Sequence, residues 1–265
     1  MASIDVEPVN SEQTDVKEVK TKSKTNDKNE VGQVDIKKLL EAGAHFGHKT
    51  SRWHPKMAPY IHSKREGTYI IDLTKTVTLL EIALEFINKT AESGKQILIV
   101  GTKRQAQEIT KKLAEETKMP YVSERWLGGM LTNQNTIGGR VKHLKELEAK
   151  MESGQLASKY NKLELQRYQE EIDDMNHLYG GIKNMAIRPG AVFIFDVVTD
   201  QNAVKEAIKL KIPIIGITDT NADPTDITYP VPANDDAIKT LQLVADYVKI
   251  AIETGKAKQK KTTEK

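Results

Sequence analysis

The sequence predicts an α/β protein with a doubly wound, mostly parallel sheet and a protruding antiparallel coiled-coil helical hairpin. Three almost wholly apolar runs are typical of buried strands: 97–100, 191–196 and 213–218. Amphipathic segments at 105–116 and 202–210 follow the first two runs, and this alternation favours a parallel sheet covered by helices on both faces. The segment 133–184 breaks the alternation, because it contains two long helical patterns and no strand-like run.

The elements before the sheet follow from short local signals. Asp35 is an acidic cap before the apolar positions Ile36, Leu39 and Leu40, so we expect a short helix that ends at Gly43. Two extended runs, 60–62 and 68–73, flank a turn-like segment at 64–67, which predicts either a β-hairpin or a loop that leads into a strand. Apolar positions between 77 and 87 then predict a helix that stops near Gly94.

The later elements include the helical hairpin and a long last helix. In the second helix of the helical hairpin, apolar residues alternate in spacings of three and four, which is typical of the seam of a two-helix coiled coil. With a tip at 154–160, each arm would rise about 30 Å and project from the body. Such an arm suits either docking or a solvated helical excursion. An extended piece at 229–231 leads into a helix predicted over 235–253.

These elements divide the chain into a body with three additions. The body comprises 35–132 and 187–254, and 133–186 forms the hairpin. Residues 1–34 are rich in charged and small polar residues without periodicity, so we expect a disordered N-terminal arm. Residues 255–265 carry five lysines against one glutamate and predict a basic flexible tail.

Composition excludes several classes of protein. Of 265 residues, 38% are hydrophobic and 29% charged, and no apolar run is long enough to span a membrane, so we expect a cytoplasmic protein without a membrane partner. The absence of cysteine excludes disulfides, thiolate metal clusters and cysteine nucleophiles. Motifs for dinucleotides, for the P-loop and for a serine nucleophile elbow are also absent. The isolated Gly101 is weak evidence for an anion site, and the glycine pairs around the hairpin suit hinges better than phosphate binding.

The distribution of basic residues points to RNA. Five lysines and arginines fall between 49 and 65 without any acidic residue, interleaved with aromatic rings. Cations displace counterions from phosphates, and planar side chains stack on bases, although Trp53 and Trp126 also suit core packing. The candidate RNA-binding residues are Lys49, Arg52, Trp53, Lys56, Lys64, Arg65, Lys103, Arg104, Arg125 and Arg140.

A metal site is a separate hypothesis. His45 and His48 are three residues apart, a spacing that metal ligands use. Asp219 ends a predicted strand, and Asp235 and Asp236 begin the last helix, so the carboxyl edge of the sheet could bring carboxylates to a histidine. Ordinary helix capping explains the same aspartates equally well.

Six motifs in order carry a resemblance to a known family: LEAGAHFGH at 40–48, RWHPKM at 52–57, VGTKR at 100–104, RWLGGMLTN at 125–133, DTN at 219–221 and PANDDAI at 232–238. From about residue 35 to residue 252 the chain resembles the bacterial small-subunit ribosomal protein S2 family. One departure is His54, which stands where the family usually has asparagine. The long N-terminal arm is a second departure, which the family does not explain.

The resemblance implies a flavodoxin-like body with a coiled-coil hairpin, placed between head and body of the small ribosomal subunit, and no enzymatic activity. It implies contacts with 16S-type ribosomal RNA and neighbouring ribosomal proteins and, in many bacteria, with the large messenger-binding protein S1; we expect no homo-oligomer. It also implies one divalent ion, zinc before others, held by His48, Asp219, Asp235 and Asp236. The rival hypothesis is a metal-dependent α/β enzyme that acts on a small phosphorylated substrate at the carboxyl edge.

Overall fold

The computed structural model describes residues 34–156, 160–186 and 188–263, of which 261–263 are described by their backbone alone. The predicted arm, apart from Val34, therefore lies outside the described residues, as does the last part of the predicted tail. The domain boundaries stay predictions.

A parallel five-stranded sheet forms the centre of the body. Its strands are β4 (Ile97–Val100), β5 (Tyr121–Val122), β6 (Ala191–Ile194), β7 (Ile214–Thr218) and β8 (Tyr229–Pro232). They lie in the order β5-β4-β6-β7-β8 and pair in parallel throughout. This arrangement is consistent with the predicted doubly wound fold. β5 was not predicted from the sequence, because two residues are too few to show a strand pattern.

Helices cover both faces of this sheet. The helices are α1 (Ile36–Ala42), α2 (Leu73–Glu92), α3 (Gln107–Thr117), α4 (Gln134–Glu152), α5 (Lys162–Tyr179), α6 (Gln201–Lys209) and α7 (Ile238–Thr263). Alternate residues of β4 separate the two cores, since Ile97 and Ile99 pack with α1, α2, α3 and α7, whereas Leu98 and Val100 pack with α6 and the loop that contains Trp126. The strands of the sheet are almost wholly apolar, apart from the buried Thr218 at the end of β7, as expected for a sheet buried on both faces.

A small antiparallel sheet precedes the body. It comprises β1 (Phe46–Lys49), β2 (Ile61–Arg65) and β3 (Thr68–Ile71) in the order β1-β3-β2. The predicted hairpin is confirmed as β2 and β3, and its turn uses positive φ angles at Glu66 and Gly67. β1 was not predicted, because Phe-Gly-His-Lys lacks the alternation of a half-buried strand. Short 3-10 turns, Thr50–Arg52 and Pro55–Tyr60, connect β1 to β2.

Two helices occupy the segment predicted as the hairpin. An amide side chain caps the start of each, Asn133 for α4 and Asn161 for α5, the latter in a capping box with Glu164. Leu144 and Leu147 of α4 and Ile172 and Met175 of α5 form one buried apolar cluster between them. The coiled-coil character of this pair stays a prediction.

The last helix differs from its prediction at both ends. Residues 235–237 are not helical, because Asn234 Oδ1 accepts hydrogen bonds from the backbone N–H groups of Asp236 and Ala237 and folds the chain into a turn. At the other end α7 continues to Thr263, so most of the segment predicted as a flexible tail is helical. Among the described helices, none is long and apolar enough to cross a membrane.

Candidate functional site

Four aspartates, one lysine and one histidine meet at the carboxyl edge of the parallel sheet. The carboxyl-edge cluster, as we call it, consists of His48, Lys103, Asp196, Asp219, Asp235 and Asp236. Lys103 follows β4, Asp196 follows β6, Asp219 follows β7, and the two remaining aspartates precede α7. Strands that run in parallel end at one edge, which explains how residues distant in sequence come together.

His48 reaches the cluster from β1. Its Nδ1 lies 3.0 Å from Asp219 Oδ2, and its Nε2 lies 3.6 Å from Asp236 Oδ2. The backbone N–H of His48 donates to Thr220 Oγ1 at 2.8 Å, and a Cβ at Gly47 would lie 2.5 Å from Thr220 Cγ2, so only glycine allows this close approach. The hydrogen bond to Asp219 raises the pKa of His48 against the opposing effect of burial.

Lys103 neutralises part of the cluster. Its Nζ lies 2.7 Å from Asp235 Oδ1, 2.7 Å from Asp236 Oδ1 and 3.2 Å from Asp196 Oδ2. Burial disfavours its charge, but the hydrogen bonds to Asp235 and Asp236 raise the pKa of Lys103 well above its ordinary value. Burial, together with the charges of Asp196 and Asp219, raises the pKa of Asp235 to about 7.

The donor atoms of the cluster suit a cation. His48, Asp219 and Asp235 each offer a ligand atom, and these atoms lie within 4.8 Å of one another. The fourth expected ligand, Asp236, lies outside this group, because it faces Nε2 of His48, the ring nitrogen that does not contact Asp219. His45, the other histidine of the predicted pair, lies outside this group of donors.

Glu206 is a key residue that the sequence reasoning missed. From α6, its carboxylate accepts hydrogen bonds from Trp126 Nε1 at 3.0 Å and from the backbone N–H groups of Gly129, Leu131 and Thr132 at 2.7, 3.0 and 3.0 Å. Burial disfavours its charge, yet these donors lower the pKa of Glu206. One feature of the sequence could have identified Glu206: it is a carboxylate between Ala203 and Leu210 on the buried side of an amphipathic helix.

The two tryptophans differ in environment. Trp126 is buried in the core, with its indole N–H held by Glu206. Trp53 is 37% exposed, and its ring centroid lies 5.2 Å from that of Tyr69 on β3. Trp53 is therefore the tryptophan whose ring faces solvent beside the small sheet.

The basic candidates fall into two groups. Lys56 is paired with Asp223 at 3.0 Å, and Lys103 lies among the aspartates described above. The others are exposed and, among the described residues, form no ion pair: Lys49, Arg52, Lys64, Arg65, Arg104, Arg125 and Arg140. Arg104 follows β4, Arg125 precedes the loop held by Glu206, and Arg140 lies on α4.

Lys49 and Arg65 are brought into register by the small sheet. Both pair with Thr68 of the central strand β3, Lys49 from β1 and Arg65 from β2. Residues directly opposite in an antiparallel sheet project from the same face, and neighbouring strands lie about 4.8 Å apart. Lys49 and Arg65 therefore form a basic row, with their Cα atoms on the order of 10 Å apart across Thr68.

Comparison with known proteins gives consistent matches. A sequence model of the family described as Ribosomal protein S2 matches residues 39–255. The chain is also similar to the Small ribosomal subunit protein uS2 of Coprothermobacter proteolyticus, with 46% identity over 223 residues, which cover 84% of this chain and 83% of that protein.

Proposed function

This chain belongs to the ribosomal protein S2 family and is a structural component of the small ribosomal subunit, in the cytoplasm, and we propose that its basic row is a contact surface for ribosomal RNA. The partners of such a component are ribosomal RNA and neighbouring ribosomal proteins. The proposal concerns which residues of this chain make those contacts, and how.

The observation that carries the proposal is the geometry of the basic row. Lys49 and Arg65 are exposed, project from one face and form no ion pair among the described residues, so their charges are available to phosphates. Arg52 ends the 3-10 turn that follows β1, and the exposed ring of Trp53 offers a surface on which an unpaired base can stack. Lys64, Arg104, Arg125 and Arg140 are further exposed contacts in this proposal.

A double substitution tests the basic row. We expect Lys49→Ala with Arg65→Ala to weaken binding to deproteinised small-subunit RNA and to lower the slope of log affinity against log salt by about 0.9 per lost contact. Lys38→Ala with Lys239→Ala is the matched control, because both are exposed lysines outside the row. Equal affinities and slopes for the two double variants would overturn the proposal.

The three carboxylate contacts of Lys103 assign it a different role. Its ammonium group is already shared among Asp196, Asp235 and Asp236, so a phosphate would have to compete with these neighbours. We therefore remove Lys103 from the RNA contacts and assign it to holding the carboxyl-edge cluster together. Lys56, paired with exposed Asp223, remains a weaker candidate.

We also propose that His48, Asp219, Asp235 and Asp236 hold one divalent ion, zinc before others. The donor types fit, because imidazole and carboxylates are common zinc ligands, and His48, Asp219 and Asp235 place their donor atoms within 4.8 Å of one another. The four carboxylates of the cluster also outnumber the charges of Lys103 and His48. Bound there, an ion would supply positive charge that joins β1 to the edge of the main sheet. Lys103 competes with an ion for this site, because its ammonium group already contacts two of the four proposed ligands, Asp235 and Asp236.

For the architecture, the proposal is a flavodoxin-like body with α4 and α5 as a coiled coil. Numbered along the chain, the five parallel strands lie in the order 2-1-3-4-5, which is the flavodoxin-like order. The buried cluster of Leu144, Leu147, Ile172 and Met175 supports a seam between the two helices. Leu163 at the start of α5 is 60% exposed and suits a docking contact with a protein such as S1.

A structural role without catalysis completes the proposal. The rival hypothesis of an enzyme for phosphorylated substrates relied on the carboxyl-edge cluster, but an anionic substrate would meet four carboxylates there. Turnover of sugar phosphates or nucleotides by the purified, zinc-loaded chain would revive that hypothesis.

A further inference from the structure

A groove with a volume of about 600 Å³ opens at the amino edge of the parallel sheet, on the side opposite to the carboxyl-edge cluster. The last turns of α2 form one wall, and the segments that enter β6 and β7 form the other. Four cationic side chains line it: Lys89, Lys95, Arg188 and Lys211. We refer to it as the amino-edge groove.

Two of these cations form no ion pair with any residue that the structure describes. Lys89 pairs with Glu85 at 2.6 Å, and Arg188 donates to the backbone oxygens of Leu210 and Lys211. Lys95 and Lys211 are exposed and, within the described part of the chain, neither has a carboxylate within ion-pair distance. Their positive charge is therefore not balanced by the protein itself.

The backbone fixes the positions of both lysines. A Cβ on Gly190 would lie 2.6 Å from Cβ of Lys95, so the stem of Lys95 packs in space that only glycine leaves open. Lys211 has a left-handed φ of 54°, its N–H donates to Ile208 at 2.9 Å, and its carbonyl accepts from Arg188 at 3.3 Å. Arg188 thus joins the segment that enters β6 to the segment that enters β7, within one wall of the groove.

Apolar side chains also line the groove, and we call them its floor. Phe86, Pro189, Ile212 and Pro213 line it, and the Phe86 ring stacks on Tyr229 with centroids 4.5 Å apart. An apolar floor with cationic rims matches a sugar-phosphate segment, which combines carbon-rich sugars with regularly spaced negative charges.

Charge is distributed unevenly between the two edges of the sheet. Four aspartates lie at the carboxyl edge, whereas the cations of the groove lie at the amino edge. The end of α7 approaches the end of α2, where a Cβ on Gly94 would lie 2.4 Å from the side chain of Gln259. Nearby on α7, burial lowers the pKa of Lys256, and the neighbouring charges of Lys118 and Lys260 lower it further. The cations at the amino edge therefore favour the approach of a polyanion to the groove.

We propose that the amino-edge groove binds a phosphodiester segment of the small-subunit ribosomal RNA, as a second RNA contact apart from the basic row. This inference rests on the proposed function, because it assumes that the chain binds ribosomal RNA. It adds a different surface, with Lys95 and Lys211 as the phosphate ligands and the apolar floor as the support for the sugars.

A double substitution that removes only the two unpaired charges tests the groove. Lys95→Gln with Lys211→Gln replaces each ammonium group with a neutral, polar side chain that is one atom shorter, and it leaves the contacts of Arg188 with the backbone oxygens of Leu210 and Lys211 in place. We expect roughly tenfold weaker binding to deproteinised small-subunit RNA at moderate salt and a slope lowered by about 0.9 per lost contact. Lys38→Gln with Lys239→Gln is the matched control, and far-UV circular dichroism confirms that both variants are folded.

The outcomes separate this inference from the proposed function. If only the basic-row variant loses affinity while the groove variant equals its control, the groove proposal is overturned and the proposed function stands. If neither variant loses affinity, both are overturned. A photo-crosslinking residue at position 95 in reconstituted subunits gives a second measurement: a crosslink to RNA supports the groove, whereas a crosslink only to protein contradicts it.

Discussion

Lys49 and Arg65 are partners of the same residue, Thr68, from the two outer strands of the small sheet. The pairing places two cations that are sixteen positions apart in the sequence in one row on one face of the sheet. Composition alone indicates that the segment is basic, but only the strand register shows which basic residues act together. The same sheet also delivers His48 to the carboxyl edge of the main sheet.

The first prediction concerns the loop held by Glu206. Glu206→Gln replaces one carboxylate oxygen with an N–H group, which leaves buried donors without an acceptor, so we expect a loss of about 2–4 kcal/mol in the free energy of unfolding. Denaturant unfolding measures this loss, and hydrogen exchange should show faster exchange at Gly129, Leu131 and Thr132. Glu81→Gln, at an exposed position of α2, is the control. Equal stability for the two variants would disprove the anchoring role.

The second prediction concerns the contact between β1 and Thr220. Gly47→Ala would place a methyl group 2.5 Å from Thr220 Cγ2 and 3.1 Å from the backbone oxygen of Tyr69, so we expect destabilisation by about 1–3 kcal/mol. Adding Thr220→Ser removes Cγ2 and should restore part of the loss. Gly138→Ala, with open space around the new methyl group, should be neutral or stabilising. Thermal unfolding of the three variants decides, and an unaffected Gly47→Ala would contradict the close packing.

The third prediction uses the buried carboxyl group of Asp200. Burial raises its pKa from 3.8 to about 6, although hydrogen bonds from Thr102 oppose the shift. Between these two pH values the folded state binds more protons than the unfolded state, so ionisation of Asp200 lowers stability as the pH rises. Asp200→Asn should therefore be more stable than the unsubstituted protein, by up to about 3 kcal/mol above pH 6, with the advantage vanishing near pH 4. An advantage that does not change with pH would contradict this assignment.

The fourth prediction concerns the metal site. His48→Ala removes the only nitrogen ligand of the proposed set, so we expect less zinc in the purified protein by elemental analysis and a smaller fall in melting temperature on chelation. His62→Ala is the control, because His62 is exposed and lies outside this group of donors. Equal zinc contents in the two variants would contradict the proposal that His48 holds a zinc ion.

Local sequence patterns were sufficient to predict most strands of the main sheet and the helices that cover it. The apolar run at 97–100 predicted β4 correctly, and Asp35 and Gly43 bound α1 as expected from their capping chemistry. β1 was not predicted, because its four residues form a strand only by pairing with β3. The start of α7 was placed too early, since the aspartates before it were read as first-turn residues, whereas two of its turn amides bond to Asn234.

Long-range contacts account for what the sequence could not show at the site. Lys103 reads as one more cation beside Arg104, and nothing nearby in the sequence indicates that its ammonium group lies among aspartates 93 to 133 positions later. Glu206 and Trp126 are likewise joined only in the folded chain, 80 positions apart. The residue types indicated that the site contains cations and carboxylates. Only the folded chain, in which the strand ends meet, shows which cations are already paired with carboxylates and which remain available to bind phosphates.

A density map of the assembled small subunit tests the central claim most directly, through the surroundings of Lys49 and Arg65. We expect both side chains to lie within hydrogen-bonding distance of RNA phosphate oxygens, on the same face of the small sheet. A map in which these two side chains face solvent or contact only protein would contradict the claim that the basic row binds ribosomal RNA.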